Sequence, residues 1–286
     1  MARVLVVGAG LTGGACAALL RGATRERLCV WDKARGAGGR MSTSRSARDA
    51  SYTADLGAQY VSRRAESRGS FYEELLSRGI LEPLSARIEG LAEKEGSCDY
   101  VAPQGISSVV KYYLLQSDAD VCYERHVTHI SLRDGKWEVS SKMGSPELFD
   151  VVILTMPVPQ ILQLQGDIVN TSLFFISESH EIGPSVVVHT TVTFGKEHLD
   201  SDPAEVQQLI LSHLENLVPS LPKAASVKCH KWRYSQVTKA VPNCSGQMIL
   251  HTQPLLICGG DGFTCSNFDG CIESAMSLAE TVRSNL

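Results

Sequence analysis

The chain has 286 residues, 43 % of them apolar and 20 % charged, which is globular composition and argues against overall disorder. No uninterrupted apolar run reaches the roughly 18 residues a membrane span needs, so no membrane partner is expected. The net charge of -4 argues against a nucleic-acid binder. That charge is uneven: residues 1–70 hold 12 Lys/Arg against 5 Asp/Glu, so the N-terminal quarter is basic and the remainder acidic. A basic face of this kind suits an anionic ligand such as a pyrophosphate.

Val4-Leu5-Val6-Val7 reads as a buried strand. It runs into Gly8-Ala9-Gly10-Leu11-Thr12-Gly13 and then an Ala/Leu-rich helix over Gly13 to Arg21. This is G-x-G-x-x-G in a strand–turn–helix context. Gly8 makes the tight turn, Gly10 admits a pyrophosphate to the backbone, and Gly13 lets helix and strand pack closely. The helix N-terminus offers unpaired N–H groups to phosphate. A second strand, Leu28 to Trp31, ends at Asp32, where a carboxylate takes ribose hydroxyls. Met1 to Leu20 also carries a basic residue, an apolar stretch and Ala15-Cys16-Ala17, but the glycines break that stretch and argue for the dinucleotide loop over a cleavable signal peptide.

Gly38-Gly39-Arg40-Met41 follows, with Arg40 placed to reach phosphates as a bidentate cation. Asp55-Leu56-Gly57-Ala58-Gln59-Tyr60 is a further close-approach segment. A helix is expected over Phe71–Arg78 and another over Ile106–Gln116. Strands are expected over Asp120–Tyr123, Val127–Leu132, Lys136–Ser140 and Val151–Met156, with a hairpin turn at Gly135. Further on, the pattern predicts a strand over Val186–Phe194 and an amphipathic helix over Pro203–Leu217. Leu255 to Cys258 reads as a strand running into Gly259-Gly260-Asp261-Gly262, after which Asn267 or Asp269 caps a helix to Arg283. This second glycine turn, with Gly260 and Asp261 placed for the flavin half and a ribityl hydroxyl, favours FAD over NAD.

The nine cysteines form no C-x-x-C pair, and His126 and His129 fall on opposite faces of a strand, so no metal site is expected. Scattered cysteines without a disulfide framework suit a reducing, cytoplasmic compartment.

On these motifs, together with Val101-Ala102-Pro103-Gln104-Gly105, Leu154-Thr155-Met156-Pro157, Leu164-Gln165-Gly166-Asp167, Lys231-Trp232 and Cys258 to Thr264, nearly the whole chain resembles the renalase family of FAD-dependent, amine-oxidase-like flavoproteins. The resemblance implies an α/β fold of the p-hydroxybenzoate hydroxylase and monoamine oxidase kind. A Rossmann-like FAD-binding domain would be built from residues 1–60, 98–167 and 246–286. A smaller α+β substrate domain would take residues 61–97 and 168–245. It carries over Thr12, Arg40, Gln59 and Tyr60 as FAD contacts, beside Gly8, Gly10, Gly13, Asp32, Gly39, Gly260 and Asp261 from the motifs. No cysteine lies in a motif for covalent flavin attachment, so the FAD is expected to be non-covalent. The implied activity is oxidation of isomeric 2- and 6-dihydro-NAD(P) to NAD(P)+, with hydride passing to flavin N5 and O2 then giving H2O2. Trp232 is the candidate pocket wall for the nicotinamide. Secretion, a cell-surface receptor as partner and catecholamine oxidation are also implied for the family. The chain departs from the family pattern after Asp167: only Ile168 to Glu181 precedes Ile182-Gly183-Pro184-Ser185, so several dozen residues of the substrate domain are expected to be missing. A shortened, non-catalytic form is the alternative this implies.

Overall fold

The computed structural model describes residues 2–23, 27–45, 53–63, 67, 69–85, 98–167, 188–219, 224 and 227–286. The first segment gives β1 (Val4–Val7), α1 (Leu11–Leu19), β2 (Leu28–Trp31), β3 (Thr43–Arg45), β4 (Thr53–Asp55), β5 (Val61–Arg63), α2 (Gly69–Ser77) and β6 (Glu82–Pro83). The middle gives β7 (Cys98–Val101), α3 (Ser107–Ser117), β8 (Asp120–Cys122), β9 (Val127–Arg133), β10 (Lys136–Ser141), β11 (Glu147–Phe149), β12 (Val151–Leu154), α4 (Val158–Ile161) and β13 (Gln165–Gly166). The last part gives α5 (Val192–Glu197), α6 (Pro203–Leu217), β14 (Gln247–His251), β15 (Leu255–Gly259) and α7 (Phe268–Arg283).

Six strands form the central sheet in the order β14-β15-β12-β1-β2-β8. All neighbours are parallel except the β14–β15 pair at one edge. The sheet is covered on both faces, which is why its strands read as unbroken apolar runs and not as alternating ones. Val4, Val6, Val30, Ile153 and Ile257 point into a core shared with α1, α3 and α7. Leu5, Val7, Trp31, Val152, Leu154 and Leu256 point into a second core with Trp137, Val139 and Phe149. The period-2 alternation of strand side chains thus divides one apolar run between two layers.

The second core lies under a four-stranded sheet, β11-β10-β9-β13. Its β9–β10 hairpin turns at Asp134 and Gly135, both in the left-handed region (φ 50° and 73°), as a two-residue hairpin loop requires. Indole Nε1 of Trp137 donates to the carbonyl of Leu255 at 3.1 Å, locking the two sheets together. β13, at the end of the middle segment, pairs with β9, and Asp167 accepts the N–H of Leu132 at 2.8 Å.

A three-stranded sheet, β5-β7-β6, joins residues from both sides of the expected boundary at 97/98. Tyr72 and Leu75 of α2 share the first core.

The expected strand over Val186–Phe194 is corrected. Val186 and Val187 lie outside the described residues, 188–191 have no regular structure, and Val192–Glu197 is helical. Thr191 caps that helix, its hydroxyl accepting the N–H of Phe194 at 3.2 Å. A run of Val and Thr fits a pleated, half-buried surface, and it becomes a strand only when a neighbour pairs with it. No strand pairs with it among the described residues, and Val188 and Val192 are exposed. The expected helix over Pro203–Leu217 forms as α6, N-capped by Asp202. No described residue between 188 and 240 is buried.

Candidate dinucleotide site at the carboxyl edge of the sheet

The site lies where β1, β2, β12 and β15 end, the crevice in which open α/β sheets hold ligands. Gly8 closes β1 at φ 117°, and a Cβ on it would sit 2.6 Å from Oγ1 of Thr155. Gly13 is tighter, since its Cβ would lie 1.9 Å from the carbonyl oxygen of Gly8. Gly10 differs from both: a Cβ there would meet no atom of the described residues within 4 Å. The protein's own packing therefore demands glycine at 8 and 13 but not at 10, which leaves the backbone there open to close approach. Gly10 is the N-cap of α1 with no side-chain capping bond, and the first turn carries no acidic residue, so its N–H groups suit an anion.

Asp32 stands at the end of β2. Its Oδ2 accepts the N–H of Ala9 at 2.6 Å and its Oδ1 that of Ala34 at 2.7 Å. The carboxylate holds the glycine turn against the second strand. Gly38 bridges to Gly10, and the N–H of Gly38 donates to the carbonyl of Ala9 at 2.9 Å. This seats Gly39 and Arg40 beside the first turn.

Arg40 and Asp261 come from opposite ends of the chain and meet here. Nη1 donates to Oδ2 at 2.6 Å and Nη2 to Oδ1 at 2.7 Å, a two-bond fork. Burial pulls the Arg40 pKa down, but the Asp261 carboxylate outweighs it and leaves the value raised. Ser266 Oγ donates to Asp261 Oδ2 at 2.6 Å. Thr12 is buried in the first turn of α1 and lies against Cys271 of α7, whose thiol burial pushes up to about 12. Gly260 forms the second turn at φ 128°, its N–H held by Ser274 Oγ at 2.7 Å. Asn267, not Asp269, caps α7, accepting the N–H of Gly270 at 2.7 Å, while Asp269 accepts the hydroxyl of Tyr72 at 3.0 Å.

Gln59 is 3 % exposed, and its Nε2 donates to the carbonyl of Asp55 at 3.0 Å. Its Oε1 is buried with no partner among the described residues, an acceptor that a bound group would satisfy. Tyr60 is half-buried beside it. Trp232 reaches the same segment, donating from Nε1 to the carbonyl of Leu56 at 3.0 Å, with the His230 ring edge-on at 4.5 Å.

The structure thus gathers Gly8, Gly10, Thr12, Gly13, Asp32, Gly39, Arg40, Gly260 and Asp261 at one sheet edge, with Gln59 and Tyr60 on the adjoining segment and Trp232 hydrogen-bonded to that segment. Sequence reasoning missed Thr155, which donates to the carbonyls of Val7 and Gly8 at 3.1 and 3.2 Å, and Ser274. Thr155 carried a signal, standing near the end of the expected strand Val151–Met156 and within the Leu154–Pro157 stretch; Ser274 carried none, being one serine in a helix.

Among the described residues no helix is long and apolar enough to cross a membrane, and no three His, Cys, Asp or Glu side chains converge on a metal position.

Comparisons with known proteins agree with this geometry. The NAD(P)-binding Rossmann-like domain family matches residues 6–75. The crystal structure of a protein assigned as protoporphyrinogen oxidase from Exiguobacterium sp. 255-15 superposes with a TM-score of 0.69, covering 100 % of this chain and 99 % of that one at 13 % identity, and so shares the fold. Mouse renalase aligns over 339 positions, covering 99 % of each chain at 48 % identity. Since the chain has only 286 residues, at least 53 of those positions (339 minus 286) have no counterpart in it, and the coverage puts the gaps inside the chain. With that identity over nearly the whole of both sequences, the chain belongs to the renalase family.

Proposed function

We propose that the chain binds FAD non-covalently and oxidises isomeric 2- and 6-dihydro-NAD(P) to NAD(P)+, O2 being the final electron acceptor and H2O2 the by-product. Besides family membership, the observation that carries the dinucleotide half of this reading is the contrast at the first turn: Gly8 and Gly13 are fixed by packing, while Gly10 faces open space. The residues fit FAD. The Gly8–Gly13 turn and the uncapped N-terminus of α1 would take the pyrophosphate, Asp32 the ribose, Arg40 a phosphate edge, and Oε1 of Gln59, unpartnered among the described residues, a donor of the bound group. We assign the binding segments to 1–60, 98–167 and 246–286.

When bound, FAD supplies a two-electron acceptor that oxygen can regenerate. The protein's part is then small. A dihydronicotinamide gains aromaticity on losing hydride, so no general base is called for, and the chain has to orient the ring and keep water out. Trp232, anchored to Leu56 by its indole N–H, would form one wall for a flat ring.

The test is anaerobic mixing of the FAD-saturated chain with isomeric dihydro-NAD(P), followed by oxygen. Bleaching of the flavin band and one peroxide per substrate are expected. Bleaching by catecholamines and not by the dinucleotide would replace the reading with amine oxidation.

Two observations favour a second reading, a shortened form that holds FAD without turnover. At least 53 alignment positions are missing, and α5 and α6 bury no residue. It predicts a flavin-containing chain that neither substrate class reduces, with any cell-surface receptor and extracellular role independent of catalysis.

A further inference from the structure

We infer that the segment Lys228–Trp232 is a substrate-binding strap, in which Lys228, with His230 beside it, takes the pyrophosphate of the dihydronicotinamide dinucleotide whose ring lies on Trp232. The inference rests on the proposed function and deepens it, giving the substrate's phosphates a site apart from the cofactor's. The chain has 31 Asp and Glu in 286 residues, so a stretch of 45 would hold about five. Residues 216–260 hold none, against five Lys and Arg, in the part of the chain that is otherwise acidic. A basic stretch marks an anion site only when its cations border one, and here they do.

Lys228 Nζ donates to Ser44 Oγ of β3 at 3.0 Å, and Trp232 Nε1 donates to the carbonyl of Leu56 at 3.0 Å. Both contacts fall on one hairpin. Leu56 follows β4, and its N–H donates at 2.9 Å to the carbonyl of Ser42, two residues before Ser44. The strap therefore lies along the hairpin, its indole end next to the segment of Gln59 and Tyr60 and its ammonium end further out. His230 stands between, its ring edge-on to the indole at 4.5 Å. Four residues span at most about 14 Å, so one extended dinucleotide can reach both ends. Lys228 is exposed, Ser44 accepts one of its three donors, and no carboxylate pairs with it among the described residues. Arg233, just past the strap, differs in pairing with Asp200 at 2.6 Å. Burial lowers the His230 pKa and the Lys228 charge lowers it further, the direction set by a cation that no acid offsets. A phosphate would supply that missing charge. An amine substrate, cationic near neutral pH, would meet the wrong sign, so the strap also discriminates between the two substrate classes.

The experiment measures dissociation constants by calorimetry on the full chain saturated with FAD. The ligands are NAD+, NADP+ and nicotinamide riboside, which has the ring but no phosphate. Wild type is compared with Lys228→Met, Lys228→Arg and the double variant Lys228→Met/His230→Gln, at low and high salt. Thermal unfolding and flavin absorbance per chain report on folding and on the cofactor site. Lys228→Met should weaken NAD+ and NADP+ alike, by about 3- to 10-fold, the range for one exposed charged hydrogen bond, and leave the riboside unchanged. Arginine should restore most of the loss. The double variant should lose about tenfold or more and show a flatter salt dependence. Should Lys228→Met unfold or lose flavin, Lys228→Gln, which keeps a donor for Ser44, must show the same selective loss. Equal losses for riboside and dinucleotides would make Lys228 a prop for Trp232 and overturn the inference. Unchanged dinucleotide binding would overturn it too, and a loss confined to NADP+ would move the site to the 2′-phosphate and overturn the pyrophosphate assignment. A wild-type chain that holds FAD but binds none of the three ligands would bring down the proposed function itself, and the strap's role with it.

Discussion

Asp55 accepts the backbone N–H of Ile106 on both of its carboxylate oxygens, at 2.9 and 3.0 Å, across 51 residues of sequence. It also accepts the hydroxyl of Thr43 at 2.5 Å. One carboxylate therefore ties the β3–β4 hairpin to the start of α3. Burial pushes its pKa up, against the hydrogen bonds from Thr43 and Ile106, and the net shift is upward. A raised carboxylate contributes its stability in full below the ordinary Asp range and loses it as pH rises through the folded value. Asp55→Ala should cost about 1–3 kcal/mol in urea unfolding at pH 7, because two donors lose their partner. Asp55→Asn keeps an acceptor and drops the buried charge, so it should cost less, and wild type should gain on it as the pH falls towards 4. Equal losses for Ala and Asn at pH 7 would count against the account.

Glu147 has the opposite sign. Burial pushes its pKa up, but hydrogen bonds from Arg3 and Arg125 outweigh this and lower it. Its contribution is present above the ordinary Glu range and disappears as pH falls through the depressed folded value. Glu147→Gln should be less stable than wild type at pH 7, and the two melting curves should merge in acid. A gap that persists at pH 2 would refute the charge explanation.

The first glycine turn gives two contrasting substitutions. Gly13→Ala puts a methyl group 1.9 Å from a backbone oxygen and should destabilise the fold by more than about 3 kcal/mol. Gly10→Ala meets no protein atom, so it should change stability by less than about 1 kcal/mol while reducing FAD affinity by about tenfold or more. Thermal melts without ligand and flavin titration separate the two effects. A Gly10→Ala chain that binds FAD as wild type does would remove the pyrophosphate from this turn.

Ser274 is fully buried in α7, accepting the N–H of Gly260 at 2.7 Å and donating to the carbonyl of Gly246 at 2.5 Å. Ser274→Ala leaves both backbone groups without that partner. It should cost about 1–3 kcal/mol and loosen the second glycine turn, seen as lower flavin retention after gel filtration. Full retention with a normal melting point would show that the turn holds without it.

The strands β1 and β2 were legible to the residue, because a parallel sheet covered on both faces needs continuous apolar runs and the glycine turn punctuates them. The hairpin at Asp134-Gly135 was legible for a local reason too, since its turn needs left-handed backbone. What escaped was information carried by distant partners. Asp55 and Ser274 act on Ile106, Gly246 and Gly260, which no local pattern pairs with them. The fork between Arg40 and Asp261 spans 221 residues, and the sequence reading gave each residue its own ligand contact. The Val/Thr run at 186–194 failed similarly, for it encodes a pleated surface and not the neighbour that must pair with it.

The order of the central sheet bears on how the protein can be made. β1 precedes in sequence the elements it depends on: its neighbour β12 is completed by β15, and α1 packs on α7. A chain still emerging from the ribosome can form the first glycine turn but not the sheet that holds it, so early segments must wait with apolar edges uncovered. Truncation ahead of Leu255 would leave β12 unpaired on one side and take Asp261 from Arg40. Loss of residues 255–286 should therefore abolish the fold around the first glycine turn, so that the two ends of this stretch of sequence stand or fall together.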